Sequence, residues 1–223
     1  MRDIFPRQMT IMRLSLTPHH LAAFAVAAST LLTSACGEVA RTGRSPALLQ
    51  IVMLEGASGA DPDEYVTQLM SDVVTLVKVT PPGGSETVVP TIFNDLGRVE
   101  FRIQPKDPSI TEASPLNAIT LSQYRVVFRR SDGRNTQGVD VPYSFDGGVT
   151  FTVPPSGTAV GVFTLVRHQA KAEPPLRNLG ATSSAQVVST VAEVTFYGKD
   201  QAGNDVAATG TMSVTFGDFG DPQ

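Results

Sequence analysis

Tryptophan does not occur in this chain of 223 residues, and cysteine occurs once. One cysteine rules out a disulfide within the chain, so a folded domain here must rest on its core. Histidine is scarce as well. His19 and His20 lie near the start, and His168 is alone in the rest. This poverty excludes a zinc site of the His/Cys kind and a Cys–His nucleophile. A Ser–His–Asp arrangement through His168 has no G-x-S-x-G turn to support it, and a surface histidine bonded to a loop is the expected role. Positive charge is short. The 17 Lys and Arg face 21 Asp and Glu, a formal charge of -4. Setting aside the first 36 residues removes Arg2, Arg7 and Arg13 against Asp3 and leaves about -6. Such a surface lacks the cations that displace counterions from phosphates, which argues against DNA, RNA and polybasic membrane binding. No stretch carries a sustained helical stripe; Asp63 to Met70 offers one or two helical turns.

What is present begins with a targeting segment. The apolar run Leu21 to Leu32 is too short to span a bilayer, and with Arg13 ahead and small residues behind it reads as a secretory signal. It ends in Thr33-Ser34-Ala35-Cys36-Gly37, which resembles the lipobox of bacterial lipoproteins. The family's usual leucine three places before the cysteine is Thr33 here, with Leu32 one further back. The resemblance implies cleavage before Cys36, a diacylglycerol thioether on its sulfur and acylation of the new amino group; two buried acyl chains anchor stably where one is marginal. Translation from Met9 or Met12 would give a leader of more usual length than translation from Met1. Gly37, where an aspartate would favour inner-membrane retention, implies the outer membrane if the host has two.

The expected organisation is a signal peptide over 1–35, a lipidated N-terminus and tether over 36–62, and a domain over 63–223. Gly37, Gly43, Pro46, Gly56, Gly59 and Pro62 give the tether its character. Leu48 to Leu54 is an apolar exception, read as an edge strand docking onto the domain.

From about residue 69 the pattern is β. Val73, Thr75, Val77 and Val79 alternate with their neighbours, as do Val99, Phe101 and Ile103, then Tyr124, Val126 and Phe128, then Val149, Phe151 and Val153. Phe163 with Leu165, Val194 with Phe196, and Met212 with Val214 and Phe216 continue it. Period two marks half-buried strands. Turn formers separate the runs: Pro81-Pro82-Gly83-Gly84, Asn94-Asp95, Asp132-Gly133, Asp146-Gly147-Gly148, Pro154-Pro155 and Gly203-Asn204-Asp205. Short strands punctuated this often predict an all-β sandwich.

The last run, Val191 to Phe216, looks like the final hairpin of bacterial Ig-like modules, with a D-x-A-G-N turn matched by Asp200, Ala202, Gly203 and Asn204. The resemblance implies an Ig-like antiparallel β-sandwich. The mature chain also resembles a group of bacterial lipoproteins without assigned function, through Asp132-Gly133-Arg134-Asn135 to Val141-Pro142-Tyr143, Val166-Arg167-His168-Gln169-Ala170-Lys171, and the same hairpin. That resemblance implies no activity, and a fold by itself implies none either.

Three sets of side chains are candidate sites. Asp200, Asn204 and Asp205 could supply oxygen ligands for calcium on a sandwich loop, although the turn needs these residues for its own closure. Arg125, Arg129, Arg130 and Arg134, with Arg102 and Lys78, could form a basic stripe for an acidic partner or carboxylated polymer; the plainer role is a charged strand that discourages edge pairing. Asp61, Asp63 and Glu64, with Asp218 and Asp221, could pair for acid/base chemistry, but they sit among Gly and Pro as solvated charge would. Tyr124, Tyr143 and Tyr197 are possible sugar or protein contacts, weakened for sugar by the lack of tryptophan. The expected function is a non-enzymatic envelope lipoprotein whose sandwich docks another envelope protein or surface polymer, with no cofactor. The alternatives are a binding module for calcium or cell-wall glycan, and a carboxylate-based hydrolase.

Overall fold

Alternation reaches furthest in Val187–Asp200, where every second side chain from Val188 to Asp200 is buried. Residues two apart share a strand face, so this segment presents one apolar face to a core and one mixed face to water. The computed structural model describes residues 43–110, 114–180 and 186–219. Among them are β1 (Ala47–Ala57), β2 (Gln68–Asp72), β3 (Thr75–Val79), β4 (Thr87–Thr91), β5 (Asp95–Pro105), β6 (Ile119–Arg129), β7 (Phe145–Val153), β8 (Thr158–Val166), a one-turn helix α1 (His168–Ala172), β9 (Val187–Asp200) and β10 (Asp205–Gly217).

The strands make an all-β sandwich. One sheet has the order β1-β5-β8 and the other β2-β10-β9-β6-β7. Every pairing within them is antiparallel except β2 with β10. The β3–β4 pair forms a separate two-stranded sheet. No helix among the described residues is long and apolar enough to cross a membrane.

The two inner faces meet through aromatic rings. Phe196 of β9 is wedged between Phe101 of β5 and Phe163 of β8, at centroid distances of 5.0 and 5.1 Å and nearly perpendicular. Such edge-to-face pairs add about 0.5–1.5 kcal/mol beyond the area they bury. Gly97 on β5 makes room for this stack: a Cβ there would lie 2.3 Å from the Phe163 ring.

Strand register gives the sandwich two distinct ends. At the near end, Ala47 pairs with Pro105, Lys106 donates through its backbone N–H to the Pro46 carbonyl and through Nζ to the Gly43 carbonyl, both at 2.9 Å, and the Ser45 hydroxyl lies near enough to Asp200 in the β9–β10 turn to help lower its pKa. At the far end, Ala57 pairs with Leu96, Asp95 with Val166, and Gly217 with both Asp72 and Val187. Eleven-residue strands such as β5 put these ends about 35 Å apart.

Four expectations change. The folded domain takes in β1, with Ala47, Leu49 and Ala57 buried, so a boundary at residue 63 is too late; Leu48 to Leu54 does lie in an edge strand. Residues 63–70 form no helix, because Val66 bridges to Gly56 and Gln68 already starts β2. The apolar run 73–79 is a strand only from Thr75, because Val73 and Val74 form the bend between β2 and β3. Asp146-Gly147-Gly148 lies inside β7 and so separates no strands, whereas Asn94 does lie between β4 and β5, which Asp95 opens. The Asp200–Asn204 turn does join β9 to β10 as expected.

Candidate functional site

The far end holds the one buried ion pair among the described residues. Asp95 shares the inward parity of Gly97, Val99, Phe101 and Ile103 on β5, and a register irregularity beside it re-aims the strand where it meets Val166. Its carboxyl is therefore driven into the core at the strand's first residue. Lys171 arrives from α1, directly after β8, and buries its whole stem. The side chains are 0% and 1% exposed, and Lys171 Nζ donates to Asp95 Oδ1 at 2.7 Å.

The surroundings satisfy both groups. Asp95 Oδ1 also accepts the Gly59 N–H at 2.8 Å, and Oδ2 accepts the Ser71 hydroxyl at 2.5 Å. Nζ donates a second bond to the Asp72 carbonyl at 2.7 Å. The Asp72 carboxylate in turn accepts from the Thr75 hydroxyl at 2.6 Å and the Phe219 N–H at 3.0 Å. Burial raises the Asp95 pKa; the Lys171 ammonium, Ser71 and Gly59 pull the other way without cancelling it. Charges this deep are costly unless paired and hydrogen-bonded. The cluster ties the β1–β2 connection, β2, β5 and α1 together at the root of β3.

Beside it, the His168 backbone N–H donates to Asn94 Oδ1 at 2.6 Å, with Nδ1 3.1 Å from the same oxygen. His168 is thus an exposed histidine held to a loop. Arg167 places its guanidinium 4.1 Å from the centre of the Phe145 ring, and its Nε is buried without a hydrogen-bond partner.

The residues singled out from sequence fall elsewhere. Cys36 lies outside the described residues, as do residues 1–35 and Asp221. Asp200 spends its carboxylate on the turn: Oδ1 accepts the Ala202 and Asn204 N–H groups at 3.0 and 2.8 Å, and Oδ2 accepts Asn204 Nδ2 at 2.8 Å. Desolvation raises its pKa, but these bonds and that from Ser45 outweigh it, so the net direction is down. Asp205 pairs with Lys199 at 2.5 Å. No group of three or more His, Cys, Asp or Glu suited to a metal occurs among the described residues. The four arginines do not form a free basic stripe. Arg125 pairs with Asp146 across β6–β7 at 3.6 Å, Arg129 with Glu193 at 3.5 Å, and Arg130 and Arg134 both with Asp132 at 2.6 and 3.0 Å. The Arg130 guanidinium, helped by Arg134, holds the Asp132 carboxyl well below the usual range. Asp61, Asp63, Glu64 and Asp218 are exposed. Tyr124 is buried in the aromatic core, whereas Tyr143 and Tyr197 are 51% and 38% exposed.

Sequence reasoning overlooked the Asp95–Lys171 pair. One signal was there: extending the β5 alternation back by one step puts a carboxylate on the core face, where it must find a cation. Nothing local to Lys171 shows that it is that cation.

A second feature rises from the same root. The β3–β4 hairpin exposes Leu76, Val79, Val88, Val89 and, just beyond it, Ile92 at 36–54%. It pairs with no other strand among the described residues, which leaves the outer edge of β4 without a strand beside it among them. A shallow depression lined by Gly59, Ala60, Leu76, Val77 and Phe93 runs along its base.

Compared with family models, curated proteins and solved structures, the chain matches none.

Proposed function

We propose that this chain is a lipid-anchored protein of the bacterial envelope whose sandwich docks a second envelope protein through the β3–β4 hairpin. The observation that carries the reading is the hairpin. Two-stranded hairpins are marginal in water unless something packs on them, and this one turns apolar side chains to solvent and has no strand beside β4 among the described residues. A partner strand added beside β4 would satisfy its backbone groups. A lipid surface would bury those groups without partners, at a cost of several kcal/mol each.

Position supports a protein partner too. The chain enters the sandwich at the near end, through Gly43 and Ser45. Eight residues lie between Cys36 and Ser45, and that stretch spans at most about 30 Å when extended. A tether from Cys36 would therefore join the sandwich at the end opposite the hairpin root.

A photo-reactive residue at position 88 of the full lipidated chain, activated in cells, tests this. The expected product is one discrete protein adduct from position 88 and none from position 209, an exposed site on the outer face of β10. No protein adduct from position 88, or lipid adducts alone, would overturn it.

A further inference from the structure

The Asp95–Lys171 contact brings an amine nitrogen and a carboxyl carbon together where water does not reach. We propose that the two side chains form a covalent modification site, in which Lys171 Nζ and Asp95 Cγ condense to an intramolecular amide with release of one water. The inference does not depend on the docking reading.

The step balances within the pair. A proton passes from Nζ to Oδ1 across the 2.7 Å hydrogen bond. The freed lone pair forms the Nζ–Cγ bond, and charge develops on Oδ2, which the Ser71 hydroxyl already contacts at 2.5 Å. A second proton moves from Nζ to Oδ1. The Cγ–Oδ1 bond then breaks, and Oδ1 leaves as water past the Gly59 N–H that now holds it at 2.8 Å. Ammonium plus carboxylate becomes amide plus water, with no outside oxidant, reductant or activating group.

The surroundings suit the product as well as the reactants. The amide N–H that remains has the Asp72 carbonyl as acceptor, already 2.7 Å from Nζ. The amide oxygen keeps the Ser71 hydroxyl as donor. A nitrogen hydrogen-bonded to one carboxylate oxygen lies about 3.5 Å from its carbon, within the range of a near-attack arrangement. Exposures of 0% and 1% exclude the water that would drive hydrolysis. Burial also raises the Asp95 pKa, which brings the neutral acid, the more reactive form of the carboxyl, closer to hand. The bond would join the first residue of β5 to α1 and close a ring over residues 95–171. A chain with one cysteine can form no disulfide of its own, and this tie would restrict the unfolded chain as a disulfide does.

Trypsin digestion of the denatured full-length chain, followed by mass spectrometry, tests the proposal. Acylation of Lys171 blocks cleavage after it, so segment 168–177 is expected joined to segment 79–98, one water lighter than their sum. Recovery of 79–98 and 168–171 as separate, unmodified peptides would overturn the proposal. Whole-protein mass is a poorer readout, because an imide at Asp132-Gly133 also loses one water. Lys171→Arg keeps a cation but no attacking amine, and the joined peptide should vanish. If segment 79–98 is still recovered joined to the segment that carries the Lys171→Arg substitution, one water lighter than the sum of the two, the assignment fails.

Discussion

Lys171 commits an ammonium to a site walled off from solvent, and its stability depends on the Asp95 carboxylate and the Asp72 carbonyl together. Removing one charge strands the other. Asp95→Leu and Lys171→Met should each cost about 3–5 kcal/mol in urea denaturation, while the double variant should be more stable than either single one. Equal and additive losses would mean that the two groups are not coupled. Asp200 acts at the opposite end with a pH signature. Its net pKa lies below the ordinary 3.8, so its contribution is complete above that value and is lost as pH falls through the lower folded value. The stability gap between the wild type and Asp200→Asn should therefore narrow as pH is taken from about 6 to about 2. A gap that does not change with pH would show that the carboxylate charge is not what holds the turn.

At the level of elements, two strand glycines separate close packing from plain strand propensity. Gly97 on β5 lies under the Phe163 ring, whereas a Cβ at Gly148 on β7 meets nothing within 4 Å. Gly97→Val should cost about 1–3 kcal/mol or more through overpacking. Gly148→Ala should stay within about 0.5 kcal/mol. Similar losses at both positions, read from thermal melts, would remove Gly97 as the residue that admits the Phe163–Phe196 stack. The β3–β4 hairpin is the reverse case, an element with little of its surface packed. Leu76→Ser with Val88→Ser should shift stability by no more than about 0.5 kcal/mol per site, yet should abolish the adduct from a photo-reactive residue placed at position 89. Unchanged adduct yield would move the docking surface elsewhere.

For the whole molecule, the antiparallel register separates two tasks. The near end gathers the incoming chain, Lys106 and the Asp200 turn; the far end gathers the buried pair and the hairpin root. Thr75 opens β3 and donates to Asp72, whose carbonyl receives the Lys171 ammonium. Asp95 stands only a few residues beyond β4. A load applied to the hairpin would thus reach the sandwich through the ion-paired cluster, ionic or covalent, and not through strand pairing alone.

The strands were legible along the chain because period-two burial is local. Val99, Phe101 and Ile103, or Val194 and Phe196, declare a core face without reference to any partner, and Gly203, with its φ of +85°, marks the last turn by its own conformational freedom. Side-chain partners could not be read this way. Arg125 and Arg129 look like a basic stripe until the registers of β6 against β7 and β9 bring Asp146 and Glu193 beside them. Asp200 looks like a cation ligand until the turn closes and its oxygens are taken. Asp95 shows its inward parity in sequence, but its cation stands 76 residues away, and only closure of the sandwich brings the two together. Alternation is a property of neighbours along a strand; pairing, burial and charge neutralisation belong to segments far apart in sequence, so only the tertiary structure decides them.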